Sequence, residues 1–204
     1  MANQSQDSMA ILGKALWEEN PVFRQILGIC SALAVTNLMV NTAIMGLSLI
    51  FVTAMSGATV SALRKITPAR IRMMVQVLII SFYVIVVDIV LKAHLPDISR
   101  ALGPYVGLII TNCIIMGRCE GYARSNPVWP SLVDGAANGL GYALVLLGVA
   151  FIREVLGFGS VFGFTVMPAG FTRWTIMVMA PAAFFVLGTF LWVANTFAPA
   201  KEKK

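Results

Sequence analysis

Cys30 and Cys113 are the residues of this chain best suited to redox or metal chemistry. Each lies inside an uncharged apolar stretch and near a Thr-Asn pair, Thr36-Asn37 for the first and Thr111-Asn112 for the second. Taken singly, a cysteine in an apolar helix is ordinarily a small packing residue. Taken together the two carry more, because inversion of one half of the chain against the other brings them to the same depth from opposite faces. Two thiolates at one site suggest a metal, but an ordinary [2Fe–2S] cluster takes four cysteines. A second subunit then has to supply the rest. Cys119 follows Cys113 by six positions, about 600° on a continuous helix and so about a third of a turn off its face. Flanked by Arg118 and Glu120, it reads as a bystander at the membrane edge.

Asp88 and Asp134 form a second set. A carboxylate inside hydrocarbon is costly and marks an ion path or similar function by default. Both lie near the ends of apolar segments, where bland roles compete: Asp134 as a cap of the fifth helix, Asp88 as the partner of Lys92 one turn later. Asn37, Asn112 and Asn138 satisfy interrupted backbone or pack between helices, the first two beside the cysteine elements. His94 reads as a loop residue. No phosphate-cradling glycine loop, nucleotide fold, haem motif or paired soluble-type carboxylate site is present.

These residues require a membrane scaffold. Of 204 residues 58% are hydrophobic and 12% charged, with mean hydropathy +0.84, outside the range of soluble domains. Residues 25 to 63, 101 to 117, 135 to 152 and 174 to 200 carry no charge at all. The first of these runs is too long for one crossing and suits two. The formal charge of +6 does not point to nucleic acid, because the basic residues fall in short clusters between apolar segments, as topology signals do. The beginning of the chain does not resemble a signal peptide, and three cysteines give no secreted disulfide framework.

The expected fold is all-α: a polytopic membrane protein with six transmembrane helices near 22–36, 42–63, 71–91, 101–117, 134–152 and 174–197. Residues 1–21 are expected to be an N-terminal interfacial segment and 198–204 a basic tail, the whole forming a single membrane domain. Gly135 and Gly139 have the spacing that lets another helix approach closely. Asn126-Pro127 and Trp129-Pro130 predict a stiff loop, while Arg153 and Glu154 mark the end of the fifth helix. The polar run from His94 to Arg100 joins the third to the fourth. The echo between the Thr-Asn elements, 75 residues apart, predicts two inverted three-helix halves, about 22–92 and 100–197, whose first and fourth helices are broken. Six crossings put eleven Lys and Arg residues on the side of the termini and four, Lys92, Arg100, Arg153 and Arg173, on the other. That bias places both termini in the cytoplasm.

Three stretches carry a likeness over essentially the whole chain: residues 27–36 (LGICSALAVT), residues 107–118 (GLIITNCIIMGR), and Asp134-Gly135 with 138–142 (NGLGY). They resemble the Nqr/Rnf family of membrane subunits, in particular the D subunits of Na⁺-translocating NADH:quinone oxidoreductases and, more distantly, the E subunits of Rnf electron-transport complexes. The resemblance implies that Cys30 and Cys113 hold an intramembrane [2Fe–2S] cluster together with two cysteines of a homologous E-type subunit. It also implies that Asp88 and Asp134 belong to the Na⁺ path. Electrons are then expected to enter from the NADH-oxidising subunit and leave toward flavin in the C subunit. The A, B, C and F subunits complete a six-subunit complex of the bacterial inner membrane. NADH, FAD, FMN, riboflavin and ubiquinone belong to that complex, and none is expected on this chain alone. Cys119 stands where relatives have a small residue such as alanine and leaves the expected ligands in place.

Three rivals remain at this level, one of them a purely structural membrane scaffold. An Rnf-type subunit shares the fold and feeds a ferredoxin:NAD⁺ complex. A small-solute transporter shares inverted halves and broken helices.

Overall fold

The computed structural model describes residues 27–68, 70–94, 96–157, 159–161, 164–165 and 179–197. The expected interfacial segment, the start of the first crossing, Arg173 and the basic tail lie outside them. Among the described residues the chain is helical apart from one antiparallel pair of two-residue strands, β1 (Ser160–Val161) and β2 (Phe164–Thr165). The helices are α1 (Ile29–Val35), α2 (Met39–Leu63), α3 (Arg72–His94), α4 (Pro96–Ile110), α5 (Cys113–Arg118), α6 (Val128–Gly157) and α7 (Ala180–Phe197). A π-helical turn, Cys119–Ala123, continues α5.

Three of these, α2, α3 and α6, are long and apolar enough to cross a membrane, each exceeding the roughly 20 residues a crossing needs. The most extensive packing joins α2 to α6. A Cβ on Gly46 would lie 3.0 Å from Ala143 Cβ, on Gly139 2.9 Å from Ile50 Cα, and on Gly135 2.8 Å from the Thr53 carbonyl oxygen. Contacts that advance along α2 while retreating along α6 mean antiparallel helices. The expected close approach at Gly135 and Gly139 is therefore present, and α2 is what approaches. In lipid, where water exclusion adds little between helices, such backbone proximity supplies the packing. Gly135→Leu drives a branched side chain into α2 and is expected to abolish assembly into a membrane complex. Gly148→Ala, whose Cβ would meet Phe190 at an ordinary 3.5 Å, should assemble normally. Blue-native electrophoresis checks both.

Several boundaries differ from the sequence-based expectation. The fifth helix begins at Val128, not near Asp134. Pro130 then falls in the first helical turn, where a missing N–H costs nothing, so the Trp-Pro pair opens the helix instead of stiffening a loop. Asp134 consequently sits well inside α6 and is not its cap. The same helix runs past Arg153 and Glu154 to Gly157, with those side chains only 2% and 1% exposed. Arg153 is thus a buried group and not an outward loop charge. The polar run after His94 is also helical, since α4 starts at Pro96.

α3 covers little of itself: Ile80 and Val84 are buried, while Leu78 is 72% and Phe82 62% exposed. A helix this apolar with such an outer face suits lipid or a partner helix.

Candidate functional site

Cys30 and Cys113 each lie in the first turn of a short helix, α1 and α5. The chain enters these two helices in different ways. Gly28 precedes α1 at φ 83°, a conformation glycine adopts without penalty. A Cβ there would also lie 2.6 Å from Ile114 Cδ1 and 2.8 Å from Tyr142 Cε2. Asn112 caps α5, its Oδ1 accepting from the Ile114 N–H at 3.0 Å, the usual way to satisfy an orphan amide. The helix bounds leave Thr36-Asn37 after α1 and Thr111-Asn112 before α5. The Thr-Asn echo therefore does not place the cysteines equivalently; their shared feature is the start of a short helix.

One buried hydrogen-bond network ties these two turns together. Asn112 Nδ2 donates to Ser31 Oγ at 3.1 Å, and the Ser31 and Tyr142 hydroxyls share a further hydrogen bond. Tyr142 also donates to the Gly28 carbonyl at 2.7 Å. The residue after Cys30 is thus joined to the residue before Cys113, and Tyr142 of α6 stands behind both, within electrostatic range of both thiols. Ser31, Asn112 and Tyr142 are buried, whereas Cys30 and Cys113 are exposed and unbridged. The structure brings the two sequence candidates to one place, with a rigid polar backing and thiols on the surface. Cys119 differs in kind: it is fully buried, its thiol 3.8 Å from Ser56 Oγ.

The backing network carries a prediction. Tyr142→Phe removes the donor to a buried carbonyl and the partner of Ser31, a loss of about 1–3 kcal/mol. Thermal unfolding of the purified complex should shift downward, and thiol-reagent labelling of Cys30 and Cys113 should change in rate while that of Cys119 does not.

The carboxylates resolve differently. Asp88 accepts from Lys92 Nζ at 2.6 Å across one helical turn, on a pair whose lysine is largely exposed. Asp134 forms a two-pronged ion pair with Arg118, with Nε donating at 2.9 Å and the other prong closer still. Asn138 Nδ2 reaches the same carboxylate at 3.0 Å, while among the described residues no donor reaches buried Asn138 Oδ1. Arg118 closes the short helix that Cys113 opens, so this ion pair fastens that helix to α6.

Sequence reasoning missed Arg153 and Glu154. Arg153 donates to Thr36 Oγ1 at 2.6 Å, and Glu154 Oε2 accepts the Met39 N–H at 2.7 Å. Together they clasp the turn that ends α1. Their adjacency at the end of an uncharged run looked like a helix terminus, and only the distance to Pro168, the next proline, hinted that the helix had room to continue. Ser31 and Tyr142 gave no such hint, being ordinary membrane-helix residues until the fold places them beside the thiols. Among the described residues no group of three or more His, Cys, Asp or Glu side chains is arranged to hold a metal. The two exposed thiols, Cys30 and Cys113, are fewer than the four that a [2Fe–2S] centre takes.

Comparison with known proteins gives a consistent assignment. Residues 8–191 match a family described as "Rnf-Nqr subunit, membrane protein". The chain is 48% identical to a protein of Chlamydia abortus, covering 100% of this chain and 99% of the relative. It is 48% identical to one of Chlamydia felis, covering 93% of each, and 46% identical to one of Chlamydia trachomatis, covering 93% of this chain and 94% of the relative. All three relatives bear the name of the D subunit of the Na⁺-translocating NADH-quinone reductase, an oxidoreductase complex. On the apolar helices, the motifs and these matches, the chain belongs to the Rnf–Nqr family of membrane subunits.

Proposed function

We propose that this chain is the D-type membrane subunit of a Na⁺-translocating NADH:quinone oxidoreductase, supplying Cys30 and Cys113 as half the ligands of a [2Fe–2S] cluster shared with a homologous E-type subunit. The observation that carries the reading is the pair of exposed thiols on two short helices whose first turns are joined through Ser31, Asn112 and Tyr142. A thiolate pair on a surface, with polar residues fixing the turns behind it, suits a site completed by another subunit. Such a cluster, when bound, supplies one-electron transfer between the NADH-oxidising and flavin-bearing parts of the complex. Within this chain, Cys30 and Cys113 bind, Asn112 and Tyr142 hold the turns, and the Arg118–Asp134 pair fastens the Cys113 helix. The six-crossing arrangement of inverted halves with broken first and fourth helices, and cytoplasmic termini in the inner membrane, belong to the same proposal.

For cation movement, Asp134 is better placed than Asp88. Its carboxylate is buried, held by Arg118 and by the Asn138 Nδ2 amide, and carboxylate oxygen suits a hard cation. A cation at that position competes with the Arg118 guanidinium, so occupancy and the hold on the Cys113 helix are linked. Asp88, near the end of α3 and paired with Lys92, contributes at most to the approach.

The test is isolation of the complex with and without the E-type subunit, followed by iron and acid-labile sulfide analysis. The proposal expects the two elements at this site only when both subunits are present. Full loading of this chain in the absence of the E-type subunit contradicts the sharing.

A further inference from the structure

A cavity of about 140 Å³ lies between the end of α2, the start of α3 and Arg124. Arg64, Arg72 and Arg124 line it, and no carboxylate does. Glu120, outside the lining, accepts from Arg72 at 2.7 Å and from Arg124 at 3.3 Å. Three guanidiniums against one carboxylate leave two positive charges at the rim. Gln76 lines the cavity as well and is 1% exposed. Its Nε2 donates to Glu120 Oε2 at 2.9 Å, and among the described residues no donor reaches its Oε1.

Apart from Thr67 the remaining walls are apolar, including Leu63 and Ile79. Ile79 also lines a second, open groove of about 900 Å³ along the outer face of α3, where Met74, Leu78 and Phe82 are exposed. The recess and the apolar groove thus share the Ile79 wall of α3. On the basic-residue bias, this end of α2 and α3 faces the cytoplasmic leaflet, where acidic lipids concentrate.

We propose that this chain holds an acidic phospholipid in the inner leaflet, its phosphate between Arg64, Arg72 and Arg124 and an acyl chain along the α3 groove. Guanidinium forks match phosphate oxygens in geometry and charge. An acidic protein segment would satisfy the arginines but leave the adjoining apolar channel unused, which favours the lipid. This inference is independent of the cluster.

The experiment uses the whole complex, exchanged into nanodiscs of phosphatidylcholine with or without phosphatidylglycerol and examined by native mass spectrometry after release into detergent. Arg64→Gln/Arg124→Gln leaves the Arg72–Glu120 pair in place. The unaltered complex is expected to retain one phosphatidylglycerol more than this variant, with apparent affinity in the variant weakened about thirtyfold. Phosphatidylcholine retention should be equal in both. A second variant, Leu78→Trp, blocks the chain groove without touching charge and should also reduce retention, which keeps the test decisive if the arginine variant fails to assemble. Equal phosphatidylglycerol retention in the unaltered complex and either assembled variant overturns the proposal. Displacement of the lipid by excess inorganic phosphate assigns the recess to a free anion and overturns it as well, as does protection of Arg64→Cys from labelling by another subunit in lipid-free complex.

Discussion

Serine at Cys30 or at Cys113 is expected to lower NADH-driven quinone reduction by more than about a hundredfold, beyond the 10–100-fold that changes behind a metal's ligands ordinarily cost. The same substitution at Cys119 should leave turnover close to that of the unaltered complex. The contrast follows from placement. Cys30 and Cys113 are surface thiols on turns joined through Ser31 and Asn112, whereas Cys119 is enclosed against Ser56. Flavins of the other subunits should remain bound in all three variants, and NADH should reduce them at the normal rate only in Cys119→Ser. Stopped-flow flavin absorbance, with subunit composition verified, separates relay failure from misassembly. Normal flavin reduction in Cys30→Ser would show that electrons do not pass this site.

The Arg118–Asp134 pair sets the second large effect. Each partner lies mostly out of solvent, with side-chain exposures of 11% and 4%. Removing either leaves an uncompensated charge in a low-dielectric surround, worth about 3–5 kcal/mol. Arg118→Leu and Asp134→Leu should each sharply lower the thermal stability of the complex, while the double variant, with no charge to strand, should recover most of it. Asp134→Asn tests the ion role separately, because the amide keeps the shape and much of the hydrogen bonding. It should weaken Na⁺-dependent turnover more than assembly, and Asp88→Asn should do so less. Unchanged Na⁺ dependence in assembled Asp134→Asn would leave that carboxylate a purely structural anchor.

What could be read from the sequence followed physical rules that act locally. Long apolar runs specify the helices at 39–63 and 72–94, the first of them without any charge, because hydrocarbon favours such stretches, and Gly135 and Gly139 announce a close helix contact through their spacing. Cys30 and Cys113 stood out in the sequence by residue type and apolar surroundings, and the fold joins the turns that carry them through Ser31 and Asn112. What escaped depends on partners remote in the chain. Tyr142 matters because Gly28 and Ser31 meet it 114 and 111 residues away, and Arg153 is tolerated in the interior because Thr36 receives it. A charged pair after an apolar run and a proline before one both look like helix ends until the fold shows their partners. The Thr-Asn pairs stand differently about the two short helices, Thr36-Asn37 after α1 and Thr111-Asn112 before α5. The cysteines are related by the first turns of α1 and α5.

The most direct measurement of the central claim is low-temperature electron paramagnetic resonance, with iron analysis, of the reduced complex carrying Cys30→Ser and Cys113→Ser together. Two ligands of four are then gone, and the oxygen replacements bind iron of a cluster poorly compared with thiolate. The account predicts that the signal of this centre disappears and that iron falls by two atoms per complex, with the E-type subunit still present. A full signal with undiminished iron would contradict it.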